Sequence, residues 1–193
     1  MKTLNSEKLL QEVRCKGIEV SEINELIKIS NEHKDVVPIL LRHLQDIDDG
    51  DDKEFLVRCL GVHGFTEASQ PLIQEFYKSR KLTFKWTIGN TLSIIQDKNI
   101  LSELVKIVQE KEHGISRQMF VVSLGKFKND RNVKDVLISL LKDDDVAGHA
   151  IIAIRKIGDV ELAEYIEPFL EHKKGWIRNE AKKTIEKFNK AKK

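Results

Sequence analysis

One apolar position recurs along this chain with a period of about thirty residues. Leu60, Leu92, Leu124, Ile154 and Ile185 follow one another at steps of 32, 32, 30 and 31. The columns around this anchor agree with it. One residue earlier stand Cys59, Thr91, Ser123, Ala153 and Thr184, all small. Four earlier stand Leu56, Ile88, Phe120, Ala150 and Ala181, and three later His63, Ile95, Phe127, Ile157 and Phe188. Offsets of −4, −1, 0 and +3 share one face of an α-helix. The small column lets neighbouring helices approach closely.

A second helix follows in each unit. Offsets +9, +12 and +16 read Ser69, Leu72, Phe76, then Leu101, Leu104, Val108, then Val133, Val136, Leu140, then Ala163, Ile166, Leu170. Between the two helices lie Thr66, Asp97, Asn129 or Asp130, and Asp159, each able to cap the second helix. Gly64, Gly125 and Gly158 fall near the first-helix ends, where left-handed backbone is expected.

The repeats predict an all-α chain with four helix pairs over 51–172. A capping helix with a basic tail follows over 173–193. Residues 1–50 read as N-terminal helices near 5–15, 21–31 and 36–45, with Asp35 capping the third and Pro38 in its first turn. The acidic run DIDDGDD (46–52) fails as a calcium loop. With Gly50 as the sixth position, Gln45, Ile47 and Leu56 occupy ligand positions. Asp51 or Asp52 is the expected cap of the next helix.

A helix pair cannot bury its own apolar faces, whereas stacked pairs share a continuous core. The segments VRCLGVHGFTEASQPLIQEF, VVSLGKFKNDRNVKDVLISLL, AIIAIRKIGDVELAEYIEPFL and WIRNEAKKTI resemble HEAT repeats. They resemble in particular the short form found in bacterial proteins and phycobilisome-lyase-type chains. The resemblance covers about residues 50–188. It departs from the family pattern in placing the early second-helix proline at Pro71 alone, and a Val-Arg-like opening only at Ile177-Arg178. It implies a single α-solenoid of stacked antiparallel helix pairs over 1–193. Such a fold hosts many roles.

The first candidate site is a basic column seven residues before the anchor: Lys53, Lys85, Arg117 and Arg178, with Ala147 as the gap. Stacked as a ridge, it would track phosphates or an acidic partner. The alternative is internal pairing with Asp and Glu of neighbouring units. Trp86 and Trp176 open first helices beside this ridge, as hot-spot aromatics or as packing. The second candidate is the outward face of the second helices, which line the concave side in the family. Its positions read Gln70, Gln74, Tyr77, then Ser102, Lys106, Gln109, then Lys134, Ile138, Leu141, then Glu164, Pro168, Glu171. Pro168 should kink its helix or make it start late.

No catalytic motif, phosphate loop or metal-ligand spacing is present among the six histidines and two cysteines. No cofactor or metal is therefore expected. Cys15 and Cys59 read as buried reduced thiols. His63 reads as an interior or edge histidine held by a hydrogen bond. Gly148 falls in a column with Trp86 and is expected to make room for Trp176. His149 is expected to pack near Met119 and bond the next unit at Glu180.

The net charge is +2, but residues 173–193 hold nine Lys or Arg against two Glu. No apolar signal core opens the chain and no run is long enough to span a membrane. The expectation is a monomeric cytoplasmic scaffold that binds a protein partner. Three alternatives stand beside it: a nucleic-acid binder, a base-repair protein of the same architecture, or an accessory chaperone to a modifying enzyme.

Overall fold

In a computed structural model, which describes residues 2–48 and 50–191, the chain is all-helical, with no strand among those residues. By internal contacts it divides into two units, one running to Asp97 and one starting at Lys98.

The first unit contains α1 (Ser6–Arg14), α2 (Leu26–Glu32), α3 (Val37–Asp46), α4 (Asp51–Cys59), α5 (Ser69–Lys78) and α6 (Leu82–Ile95). Helix α1 packs on α3, α2 and α3 on α4, and both α4 and α5 on α6. The second unit contains α7 (Leu101–Gln109), α8 (Gln118–Leu124), α9 (Arg131–Leu140), α10 (Ala147–Ile157), α11 (Ala163–Ile166) and α12 (Gly175–Ala191). Here α8 packs on α10 and α10 on α12, so successive first helices are neighbours. Helix α7 lies on α8, α9 on α10 and α11 on α12.

The repeat columns account for this packing. Leu56, Ile88, Phe120, Ala150 and Ala181 are all fully buried. The small column is buried too, and its hydroxyls bond backbone carbonyls. Thr91 Oγ1 donates to Val57 O at 3.0 Å, crossing from α6 to α4. Ser123 Oγ donates to Phe120 O and Thr184 Oγ1 to Glu180 O, each within its own helix. A buried hydroxyl without such an acceptor would destabilise the packing.

The helix openings differ from the expected caps. Asp130 does cap α9, accepting from Val133 N at 3.0 Å. Asp159 caps a 3₁₀ turn, Val160–Leu162, that leads into α11. Thr66 lies inside the turn Thr66–Ala68 and makes no cap bond. Asp35 likewise sits within the turn Lys34–Val36, which leads into α3 without a side-chain cap. Asp51 and Asp52 are first-turn residues of α4, behind Gly50 as N-cap. There they complement the helix dipole, and Asp52 accepts from Leu4 N. Pro168 breaks its helix as expected: α11 is a single turn that passes into a 3₁₀ segment, Glu167–Glu171.

Two of the three glycines are left-handed, Gly64 at φ 78° and Gly158 at φ 79°. Gln96 occupies the same column at φ 60°. Gly125 is the correction, with an ordinary helical φ of −62°. Its glycine answers a close approach instead. A Cβ there would lie 2.8 Å from Ala153 O and 2.9 Å from Lys156 Cβ. Gly148 fulfils its expectation, since a Cβ on it would meet the Trp176 ring at 2.0 Å.

Candidate functional site

The basic column is not an open ridge. Arg117 is 1% exposed. Its Nε donates to Gly114 O at 3.0 Å, Nη1 to Val108 O at 2.9 Å and Nη2 to Asp143 Oδ2 at 2.9 Å. Lys53 is buried and lies 2.6 Å from the equally buried Glu75 Oε2. Lys85 is buried with its Nζ 4.6 Å above the centre of the Phe76 ring. Arg178 is half-buried and donates through Nη1 to His172 O at 2.7 Å and to Lys173 O at 3.1 Å.

A structural reason runs through the two arginines. The last carbonyls of a helix have no partner within it. Val108 is in the last turn of α7, and His172 ends the segment after α11. A guanidinium at the start of the next first helix satisfies those carbonyls and stays charged in doing so. Lys85 and Arg117, expected on a partner-binding edge, are thus withdrawn from the surface by burial.

The tryptophans and histidines follow the same logic. Trp86 is half-buried. Trp176 seats its ring on Gly148 and meets His149 edge-on, with centroids 5.5 Å apart. His149 does not bond Glu180. Its Nδ1 is buried without a hydrogen-bond partner, and burial holds its pKa below the ordinary histidine value. Glu180 instead lies 2.6 Å from Arg155 Nη1 and 2.7 Å from Lys183 Nζ. These contacts hold its carboxyl below the usual range although burial opposes them. His63 is exposed, at an edge, with Nδ1 3.4 Å from Ile94 O. Cys15 is exposed, contrary to expectation, whereas Cys59 is buried and its pKa is pushed up to about 12 by burial. Among the described residues, no group of three or more His, Cys, Asp or Glu is placed to hold a metal ion.

The second-helix face keeps its solvent. Gln70, Gln74 and Tyr77 on α5 are exposed, as are Lys106 and Gln109 on α7. Lys134 and Ile138 on α9 are half-buried, and Leu141 is buried, contrary to its expected place on the outward face. In the second unit this face forms a groove of about 430 Å³ between α9 and the segment 159–165. Lys134 and Asp159 pair across it at 2.5 Å. That bond, with the Glu161 N–H, holds the Asp159 carboxyl below its ordinary range. Ile138 and Leu162 supply an apolar floor, and Asp135, Glu164 and the 41%-exposed Tyr165 line the walls. Such a lining, apolar at the base with polar groups around it, suits a peptide or side chain from another protein.

Tyr165 was not among the expected residues. It stands at offset +11, beside the outward column, and shares that column with Asp135. Both line the groove, so a wider outward face was the signal that would have found it.

Fold and face together define an all-α protein with an open groove beside α9, and among the described residues no helix is long and apolar enough to cross a membrane. No protein-family model matches the chain, and no curated protein sequence matches it significantly.

Proposed function

We propose that this chain is a non-catalytic α-solenoid scaffold of the HEAT-like kind, which binds another protein through the exposed face of its second helices. The observation that carries this reading is the α9 groove, where Ile138, Tyr165 and the Lys134–Asp159 pair are gathered on solvent-facing positions. The charged column at the first-helix starts supports it indirectly, because internal bonds already occupy Arg117 and Arg178. Tyrosine is among the side chains most often responsible for protein-binding energy, and the second helices carry an exposed tyrosine in each unit, Tyr77 in the first at 43% and Tyr165 in the second at 41%.

Photo-crosslinking in the native host tests the face. A benzoyl-phenylalanine at Tyr165 or Tyr77 is expected to trap a protein adduct. The same probe at Ile94, exposed on the first helix α6, is expected to trap none. Adducts from Ile94 alone would overturn the assignment of the face.

A further inference from the structure

The turns of the second unit carry a feature that the second-helix face does not use. Gly125 lets α8 approach α10 so closely that its Cβ position lies 2.9 Å from Lys156 Cβ. This brings Lys126, the next residue, beside Lys156. Lys187 of α12 reaches the same edge, where its Nζ donates to Arg155 O at 2.7 Å and lies 3.8 Å from the Cβ position of Gly158. Lys126, Lys156 and Lys187 therefore form a row along the C-terminal ends of α8, α10 and α12.

The row lacks matching carboxylates. Lys126, Lys128 and Lys156 make no ion pair within 4.0 Å among the described residues. The acids closest in sequence are committed elsewhere: Asp130 caps α9, and Asp159 holds Lys134. Glu180 holds Arg155 and Lys183, which leaves Glu186 as the exposed carboxylate of this stretch of α12. The pKa of Lys156 is lowered by burial first, and then by the charges of Lys126 and Arg155. Like charges held together without counter-charges favour an incoming anion.

We infer that this lysine row is a contact for the phosphate backbone of nucleic acid, bound without base readout. One general property of lysine and two observations select phosphate over an acidic protein or a lipid surface. Lysines are point charges suited to phosphate, and they are depleted from protein–protein interface cores. Phe127, the large apolar side chain within the row, is half-buried. Trp176, the exposed aromatic of α12, is eleven residues from Lys187 and thus about 16 Å away along the helix. The row can bind charge, but it offers no aromatic platform and no apolar wedge. This inference is independent of the second-helix face, and each can fail alone.

Fluorescence anisotropy of the full chain with a labelled DNA duplex, over about 20 to 200 mM salt, provides the test. The logarithm of affinity is expected to fall with the logarithm of salt at a slope of about −2 to −3, for three lysines at about 0.9 each. The triple variant Lys126→Gln, Lys156→Gln, Lys187→Gln is expected to lose roughly tenfold or more in affinity at low salt and to flatten that slope. Should the triple variant unfold, Lys126→Glu with Lys128→Glu gives the same reading, because both side chains are exposed. No binding at low salt, equal binding by the variants, or equally strong binding to poly-glutamate or to anionic vesicles would each overturn the inference.

Discussion

Arg117→Ala is expected to destabilise the protein by about 3–5 kcal/mol, the usual cost of removing one partner from a buried, hydrogen-bonded ion pair. Arg117 is the largest fully buried side chain and ties three segments together. Its loss leaves Val108 O and Gly114 O without their donors and Asp143 without its counter-charge. It also leaves a cavity the size of the side chain. For a chain of this size the melting temperature should fall by roughly 10 °C. Thermal unfolding followed by far-ultraviolet circular dichroism measures it. Arg117→Lys should recover part of the loss, since it restores the charge but not the planar fork that meets three acceptors. An unchanged melting temperature in Arg117→Ala would mean that the guanidinium serves a ligand and not the fold.

The second large effect is expected at Gly125. Its backbone φ suits any residue, so the penalty of Gly125→Ala comes wholly from space. The added methyl would lie 2.8 Å from Ala153 O and 3.0 Å from Ala153 Cα, both backbone atoms of α10. Backbone cannot rotate away as a side chain can, so α8 and α10 must separate. Overpacking of this kind costs about 1–3 kcal/mol, and Gly125→Val should cost more. Gly148→Ala provides the contrast. There the three atoms nearest the methyl all belong to the Trp176 ring, a side chain 46% exposed with room to rotate toward solvent. The helix gains about 1 kcal/mol of propensity in exchange. Unfolding should therefore penalise Gly125→Ala more than Gly148→Ala, while tryptophan emission should shift to the red in Gly148→Ala alone. The reverse order in the unfolding experiment would contradict the close approach at Gly125.

The helical architecture was legible because it rests on periodic burial, which leaves a direct imprint on residue type. The columns at −4 and −1 are buried in every unit. The Gly148–Trp176 fit was legible for a related reason: a glycine near the start of one first helix stood one turn out of register from a large ring that opens the next. The basic column was legible in part: internal pairing with Asp and Glu was one of its two readings, and Lys53 with Glu75 and Arg117 with Asp143 bear it out, but the carbonyl acceptors were not. A cation at a helix start reads the same whether it faces phosphate or a neighbouring helix's carbonyls. The carbonyls of Val108 and His172 leave no trace in residue type, because every residue has one. Gly125 was misread for the same reason, since close backbone approach and left-handed φ both select glycine. In hindsight its own column, with Gly61, Ser93 and Arg155, separated it from Gly64 and Gly158. Tyr165 escaped because the outward face is wider than one column.

The central claim is that the second-helix groove, and not the basic column, meets the partner. Affinity capture from the native host tests it most directly, with the wild-type chain compared against the double variant Lys134→Glu, Tyr165→Ala. Neither position is buried, but Lys134→Glu replaces the Lys134–Asp159 pair with two facing carboxylates, so thermal unfolding is measured beside the capture to show that the variant is folded at the assay temperature. The account predicts a protein retained by the wild-type chain and lost from the variant. Undiminished retention of the same protein by the folded variant would contradict it.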